Sequence, residues 1–329
     1  MFPERRLRRL RKRTIQPPLF QETVLSTADL VAPPLFVDEA AGTPMEIVSM
    51  PGQYRYPPLS MITDVAEEIA AAGIHAVILF GIPVRKDAGG TEAYNPEGVI
   101  QQAVRAIKAA VPDLVVITDV CACEYTDHGH CGIVGGDCSG PDLLNDPSLE
   151  LMAQIAVSHA QAGADIVAPP SCMLDGMVMA IREELDCEGY EDTAIMSYSS
   201  KFSSALYGPF RDAADSGFSF GDRTTYQMSP ANPREAFLES ELDAKEGADI
   251  LMVKPASLYL DILQSVCTLG LPVAAYQVSG EYAMIKAAAA NGWIDEKAVA
   301  LESLLAIKRA GADLIITYYA RDAAGGWLQ

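Results

Sequence analysis

The chain reads as an α/β protein, a (β/α)8 TIM barrel preceded by an extended N-terminal arm. Three observations predict it. Eight short apolar runs of β character alternate with helix-length segments over roughly 280 residues, which fits a closed barrel better than an open doubly wound sheet. A tripeptide, Gly-Ala-Asp, recurs at 163–165, 247–249 and 311–313, each time where a helical pattern ends and an apolar run begins. The longest stretch without such alternation, about 199–229, follows one apolar run and is rich in Ser, Gly and Asp, as a lid above a barrel would be.

Taken in order, residues 1–35 form the expected arm. Arg5, Arg6, Arg8, Arg9, Arg11, Lys12 and Arg13 against Glu4 give its first 13 residues a charge of +6, so the rest carries −26 of the net −20. Such an arm suits an acidic surface, including that of another copy of the chain, and predicts a homo-oligomer. The proline-rich run Val31–Val37 then leads into the barrel domain, 36–329. Strands are expected at Glu46–Met50, Ala76–Gly81, Leu114–Asp119, Ile166–Ala168, Ala194–Tyr198, Ile250–Val253, Val273–Val278 and Leu314–Thr317. Apolar residues spaced by three and four predict helices over Asp64–Ala71, Gly98–Ala109, Leu149–Ala162, Pro233–Lys245 and Lys297–Arg309. The glycine of each Gly-Ala-Asp suits the left-handed position that closes a helix. The repeat therefore marks the strands' N-terminal ends and sends function to the opposite ends.

Composition excludes several classes. Half of the residues are hydrophobic and 21% are charged, as in globular proteins with a sizeable core. The acidic body makes nucleic acid an unexpected partner, and the basic arm has no interleaved aromatic residues. No apolar run reaches the length of a membrane span, and the N-terminus has no apolar signal region, so a cytoplasmic protein is expected. Seven cysteines, an odd number, argue for thiols or metal ligands rather than a disulfide framework.

At the C-terminal strand ends lie the residues a site would use. Lys201 and Lys254 each end an apolar, β-rich run. Two amines converging in a desolvated pocket depress one another's pKa and leave a neutral amine able to attack a carbonyl. The alternative is a strand-end lysine snorkelling to water. After the third strand, Asp119 is followed by Cys121, Cys123 and Cys131, with His128 and His130 interleaved; three thiolates bind zinc and leave a fourth position open, unless Cys138 or a histidine closes the site. Within the lid, Arg211 and Arg223 are suited to grip a carboxylate, or else pair with Asp212 and Asp222. Tyr276, Ser279 and Tyr318 stand where a second polar substrate would be held, and Ser171 ends the fourth strand. No glycine-rich phosphate loop is present.

Together these motifs resemble the porphobilinogen synthase (5-aminolevulinate dehydratase) family. The resemblance runs from Pro3-Glu-Arg-Arg-Leu-Arg to Ile315-Ile-Thr-Tyr-Tyr. Its most specific parts begin at Asp119 (Asp-Val-Cys-Ala-Cys-Glu-Tyr-Thr-Asp-His-Gly-His-Cys-Gly), Tyr198 (Tyr-Ser-Ser-Lys-Phe), Tyr207 (Tyr-Gly-Pro-Phe-Arg-Asp-Ala-Ala), Met252 (Met-Val-Lys-Pro) and Gln277 (Gln-Val-Ser-Gly-Glu-Tyr-Ala-Met). It implies a barrel enzyme that condenses two 5-aminolevulinate molecules asymmetrically into porphobilinogen, with loss of two waters, for tetrapyrrole synthesis. It implies Lys254 as the Schiff-base lysine for the first substrate and Lys201 as the lysine that binds the second substrate's ketone or assists proton transfer; Asp119, beside both, suits a proton-handling or orienting carboxylate. Cys121, Cys123 and Cys131 match zinc ligands. Arg211, Arg223 and Gln227 match the grip on one carboxylate, Ser279 and Tyr318 that on the other, with Tyr207, Tyr276 and Ser171 lining the site. Glu239 matches the residue that holds an activating Mg2+ in part of the family, against its reading as a solvated helix residue. An octamer is implied.

One segment departs from the family pattern. Pro169-Pro-Ser-Cys-Met-Leu-Asp-Gly replaces Pro-Ser-Asp-Met-Met-Asp-Gly, with an extra residue and Cys172 at the aspartate position. Two other readings are compatible with the residues alone: an aldolase-type Schiff-base lyase acting on another keto acid, and a degenerate barrel kept for metal binding or interaction.

Overall fold

The structure, a computed structural model, describes residues 4–12, 19–59, 61–137, 140–217, 219, 221 and 223–328. Its strands, in chain order, are β1 (Leu30–Val31), β2 (Leu35–Asp38), β3 (Met45–Glu46), β4 (Tyr54–Tyr56), β5 (Ala76–Ile82), β6 (Val115–Asp119), β7 (Val134–Asp137), β8 (Gly140–Leu143), β9 (Ile166–Ala168), β10 (Ala194–Lys201), β11 (Ile250–Lys254), β12 (Val273–Gln277) and β13 (Leu314–Thr317). The run from β5 through β6, β9, β10, β11 and β12 to β13 is parallel throughout, and residues 30–38 close it. Leu30 lies opposite Ile315 on β13, the Ala32 N–H donates to the Ala76 carbonyl at 2.8 Å, and Leu35 lies opposite Leu79 on β5. This stretch is one barrel strand in two pieces. Pro33 and Pro34 break the ladder between them, since a proline has no N–H to donate.

The first strand therefore differs from the sequence expectation. Glu46–Met50 is not a barrel strand: only Met45–Glu46 pairs, exposed and antiparallel to β4, on the outer side of β2. Leu35–Asp38, by contrast, is buried at every position. The sheet thus begins at Leu30, inside the segment assigned to the arm. Of that arm, residues 4–12 are exposed and contain a short 3-10 turn, Leu7–Arg11.

Helices cover the outside of the barrel. The expected ones occur as α1 (Ile62–Ala71), α2 (Val99–Ala110), α3 (Asn145–Ala162), α6 (Pro233–Glu246) and α9 (Glu296–Arg309), alongside α4 (Met177–Cys187), a short α5 (Gly208–Ala213), α7 (Leu260–Val266), α8 (Ser279–Ala290) and α10 (Ala320–Asp322). The Gly-Ala-Asp repeat acts as a joint at the foot of the barrel. Gly163, Gly247 and Gly311 take φ of 104°, 111° and 119°, a backbone that disfavours any side chain. Two residues on, Asp165, Asp249 and Asp313 each accept a backbone N–H from the start of the preceding strand: Val116 at 2.8 Å, Ile195 at 2.8 Å and Val273 at 2.9 Å. The opposite rim is left for the site.

Candidate active site

Strand register creates the centre of the site. Lys201 and Lys254 are the last residues of β10 and β11 and lie directly opposite each other. Both are buried. A strict two-residue alternation would send Tyr198 and Lys201 to opposite faces, but the pairing shifts between Ser197 and Ser200, and the Lys201 amine reaches to 5.7 Å from the Tyr198 ring centre. Rings enclose Lys254: its Nζ is 4.0 Å from the centre of Tyr276, 4.9 Å from Tyr198, 5.1 Å from Phe210 and 5.8 Å from Tyr207. Desolvation there, together with the Lys201 charge, lowers the Lys254 pKa to about 7. The two lysines therefore differ in kind. Desolvation also works against the Lys201 ammonium, but the thiols of Cys131 and Cys121 outweigh it and raise its pKa.

Asp119 ends β6, facing both amines. Burial raises its pKa to about 6, opposed by Lys254 and Lys201. The loop beyond it folds the three thiols together, with Cys121 Sγ 3.3 Å from Cys123 Sγ and 2.8 Å from Cys131 Sγ. Burial disfavours the Cys131 thiolate, yet hydrogen bonds from Cys121 and Cys123 and the charges of Arg223 and Lys201 hold its pKa well below the ordinary value. Three buried soft donors within 4.8 Å of one another are a set that fits zinc. A second group within the same span, Asp119, Cys121 and Glu124, shares one of these sulfurs. Among the described residues these are the groups of three that can hold a metal. His130 is engaged with Tyr226 through Nδ1 at 2.7 Å, and Cys138 lies outside the described residues.

The segment after β10 covers this rim. Because β10 runs to Lys201, the covering segment begins beyond it rather than at 199. Phe210 of α5 anchors it, packing edge-on to Phe80 at 5.1 Å and against Phe36 at 5.6 Å. Ser279, the first residue of α8, accepts the Phe210 N–H at 3.0 Å. Gly280 permits this approach, since a Cβ there would lie 2.5 Å from the Leu206 carbonyl oxygen. Arg223 is buried, donating to the carbonyls of Gly129 at 3.0 Å and Ser216 at 3.1 Å. Arg211 is half-buried; desolvation and the nearby Arg223 lower its pKa. Asp212 bonds instead to Ser49, and Asp222 lies outside the described residues. Gln227 is buried with no partner for its Nε2, and the buried hydroxyls of Tyr276 and Tyr318 face each other. Tyr207 donates to the Lys254 carbonyl at 3.2 Å.

Ser171 and Glu239 complete the set, Glu239 being expected away from the catalytic centre. Ser171 does not offer its hydroxyl to the pocket; it donates to the Asp243 carboxylate on α6 at 2.6 Å and also touches the Ser197 hydroxyl, so its hydrogen-bonding capacity is taken. Glu239 sits on α6, part of no metal-holding group of three among the described residues. Burial and then Asp243, Glu246, Asp175 and Glu235 raise its pKa to about 8. Cys172, at the point of departure, has a thiol that burial pushes up to about 12, an unreactive state. Sequence reasoning missed Tyr198 and Phe210 as walls of the Lys254 pocket, and Met173, whose sulfur lies 3.6 Å from the Lys201 amine. Both wall residues lie within motifs already singled out, but only the register shift and the fold of the covering segment reveal their direction.

The fold and its rim define the class: a parallel β/α barrel with paired buried lysines at its strand ends, next to a thiol cluster. Comparisons narrow the class to one family. The family described as delta-aminolevulinic acid dehydratase matches residues 4–326. The delta-aminolevulinic acid dehydratase of Synechocystis sp. is 55% identical across the whole of both chains, and that of Archaeoglobus fulgidus is 55% identical over 98% of each. A crystal structure of the Toxoplasma gondii delta-aminolevulinic acid dehydratase (porphobilinogen synthase), in complex with the reaction product porphobilinogen, superposes with a TM-score of 0.92 at 45% identity, covering 98% of this chain and 91% of that one. The chain belongs to the delta-aminolevulinic acid dehydratase family and is a hydro-lyase.

Proposed function

We propose that this enzyme joins two molecules of 5-aminolevulinate into porphobilinogen with release of two waters, in tetrapyrrole synthesis. The observation that carries the reading is the pair of lysines in register, one of them in an aromatic cage that favours its neutral amine. Lys254 attacks the ketone of the first substrate and forms a Schiff base, which accounts for one water and acidifies the adjacent carbon. Lys201 engages the ketone of the second substrate or moves its proton, with Asp119 as the proton-handling carboxylate between them. Arg211, Arg223 and Gln227 orient one substrate carboxylate; Tyr318 and Ser279, whose hydroxyl must first leave the Leu206 carbonyl at 3.3 Å, orient the other, with Tyr207 and Tyr276 as walls. Ser171 is left out, for its hydroxyl is spent on Asp243.

Cys121, Cys123 and Cys131 are the residues to hold a catalytic zinc ion. Bound there, zinc supplies a Lewis acid for the second substrate's amine or ketone. Glu239 is assigned an activating Mg2+ by family resemblance, with Asp243, Glu246, Asp175 and Glu235 as its acidic neighbours. The basic arm, with Leu7, Leu10, Leu19 and Phe20 exposed, favours a homo-oligomer, an octamer by family resemblance. A cytoplasmic location is proposed; among the described residues no helix is long and apolar enough to cross a membrane. Incubating the pure protein with 5-aminolevulinate alone and an aldehyde reagent for pyrroles tests the function. A coloured adduct is expected, whereas turnover only with a different keto acid supports the aldolase-type alternative.

A further inference from the structure

The turn after β9 carries three consecutive side chains with three different partners. Ser171 points outward and donates to Asp243 Oδ2 at 2.6 Å. Cys172 places its sulfur 3.6 Å from the Lys201 carbonyl oxygen, and Met173 places its sulfur 3.6 Å from the Lys201 amine. Asp243 also accepts from Ser197, four residues before Lys201 on the same strand, and the two serine hydroxyls touch each other. One carboxylate oxygen therefore ties the turn, the lysine's strand and helix α6 together. Asp243, Ser171 and Ser197 are all buried, so the contacts are not exchanged freely with water. We propose that Asp243 is a positioning residue for Lys201, holding the Ser171–Met173 turn so that Met173 and Cys172 fix the lysine's amine and carbonyl. Lys254 takes no hydrogen bond from Asp243, Ser171 or Ser197: aromatic rings surround its amine, and its carbonyl accepts from Tyr207 and from the Phe202 N–H at 3.0 Å, so it meets the network only through the β10–β11 pairing.

The proposal rests on the reading that Lys201 engages substrate, and it predicts an asymmetric effect on the two lysines. Asp243→Asn replaces the charged acceptor shared by two hydroxyls with a weaker neutral one, and Ser171→Ala removes one donor. Each should lower kcat about tenfold or more, because a displaced reacting group is costly. Borohydride trapping of one equivalent of 5-aminolevulinate on Lys254 should be unaffected. Ser171→Thr, which restores a hydroxyl, should recover most of the loss. Should Asp243→Asn fail to fold, the Ser171 pair carries the test alone. The proposal is overturned if kcat of Ser171→Ala equals that of the parent, if Lys254 trapping falls in parallel with kcat, or if Ser171→Thr is as impaired as Ser171→Ala. Lys201→Ala in the parent separates the two claims, since full turnover there removes the underlying reading of Lys201 itself.

Discussion

Lys201 and Lys254 are the same residue at matching positions of neighbouring strands, yet the rim divides into two unlike regions around them. On the Lys254 side stand four aromatic rings; on the Lys201 side stand three thiols and a methionine sulfur. The rings give an ammonium less than water would, and the pKa drops to about 7. The thiols, once ionised, favour the ammonium, and the pKa rises. Chemical role is thus assigned by surroundings rather than by residue type. The aromatic side is suited to a nucleophile, the sulfur side to a charged or proton-carrying group beside a metal.

The largest effect should come from removing the amine on the aromatic side. Lys254→Met is expected to lower turnover by at least about 10⁴-fold, in the range seen when a nucleophile is deleted. The same change should stabilise the fold near neutral pH. The amine's pKa is lower folded than unfolded, so the native state is penalised below pH 10.5 and increasingly so down to about 7. Urea unfolding should therefore show the variant more stable by a few kcal/mol at pH 7, with the gain fading toward pH 10. A variant that is both inactive and less stable would mean that the cage does not oppose the charge.

On the sulfur side, Cys123→Ala should lower bound zinc well below one per chain, and activity should fall by about a hundredfold or more. Elemental analysis and assays with added zinc check both. Retained zinc and rate would place the metal elsewhere, for instance on the Asp119, Cys121 and Glu124 group.

A smaller effect concerns pH. The neutral fraction of Lys254 is one half at about pH 7, nears one at higher pH and falls about tenfold per pH unit well below 7, so kcat/KM should show an acid limb with a midpoint near 7. Measuring that limb in Phe210→Leu sharpens the comparison, since opening the cage should move the midpoint upward. The smallest effect lies outside both regions. Glu239→Ala should abolish any stimulation by Mg2+ while leaving activity without Mg2+ near that of the parent; an unaltered Mg2+ response would exclude the assignment.

Much of this was legible in the sequence, for identifiable reasons. Both lysines, Asp119 and the three cysteines end apolar runs or follow them directly, and a parallel barrel collects such ends on one rim. The Gly-Ala-Asp repeat marked the opposite rim because it needs a positive φ at glycine and a carboxylate near strand starts, both local properties. The first strand was missed because Pro33 and Pro34 resemble a loop, although Leu30–Val31 and Leu35–Asp38 pair on either side of them. The bond from Ser171 to Asp243 has no local signal, because only the tertiary placement of α6 brings Asp243 within reach of that strand-end serine. The cage around Lys254 depends on a register shift in β10 and on Phe210 from a covering segment, neither of which has a local sequence signal.

The division between the two lysines is most directly tested by covalent trapping. One equivalent of 5-aminolevulinate followed by borohydride, with peptide mapping by mass spectrometry, should reduce a Schiff base on Lys254 ahead of one on Lys201, because only Lys254 holds a substantial neutral fraction near pH 7. Predominant label on Lys201, or label that persists in Lys254→Ala, would contradict it.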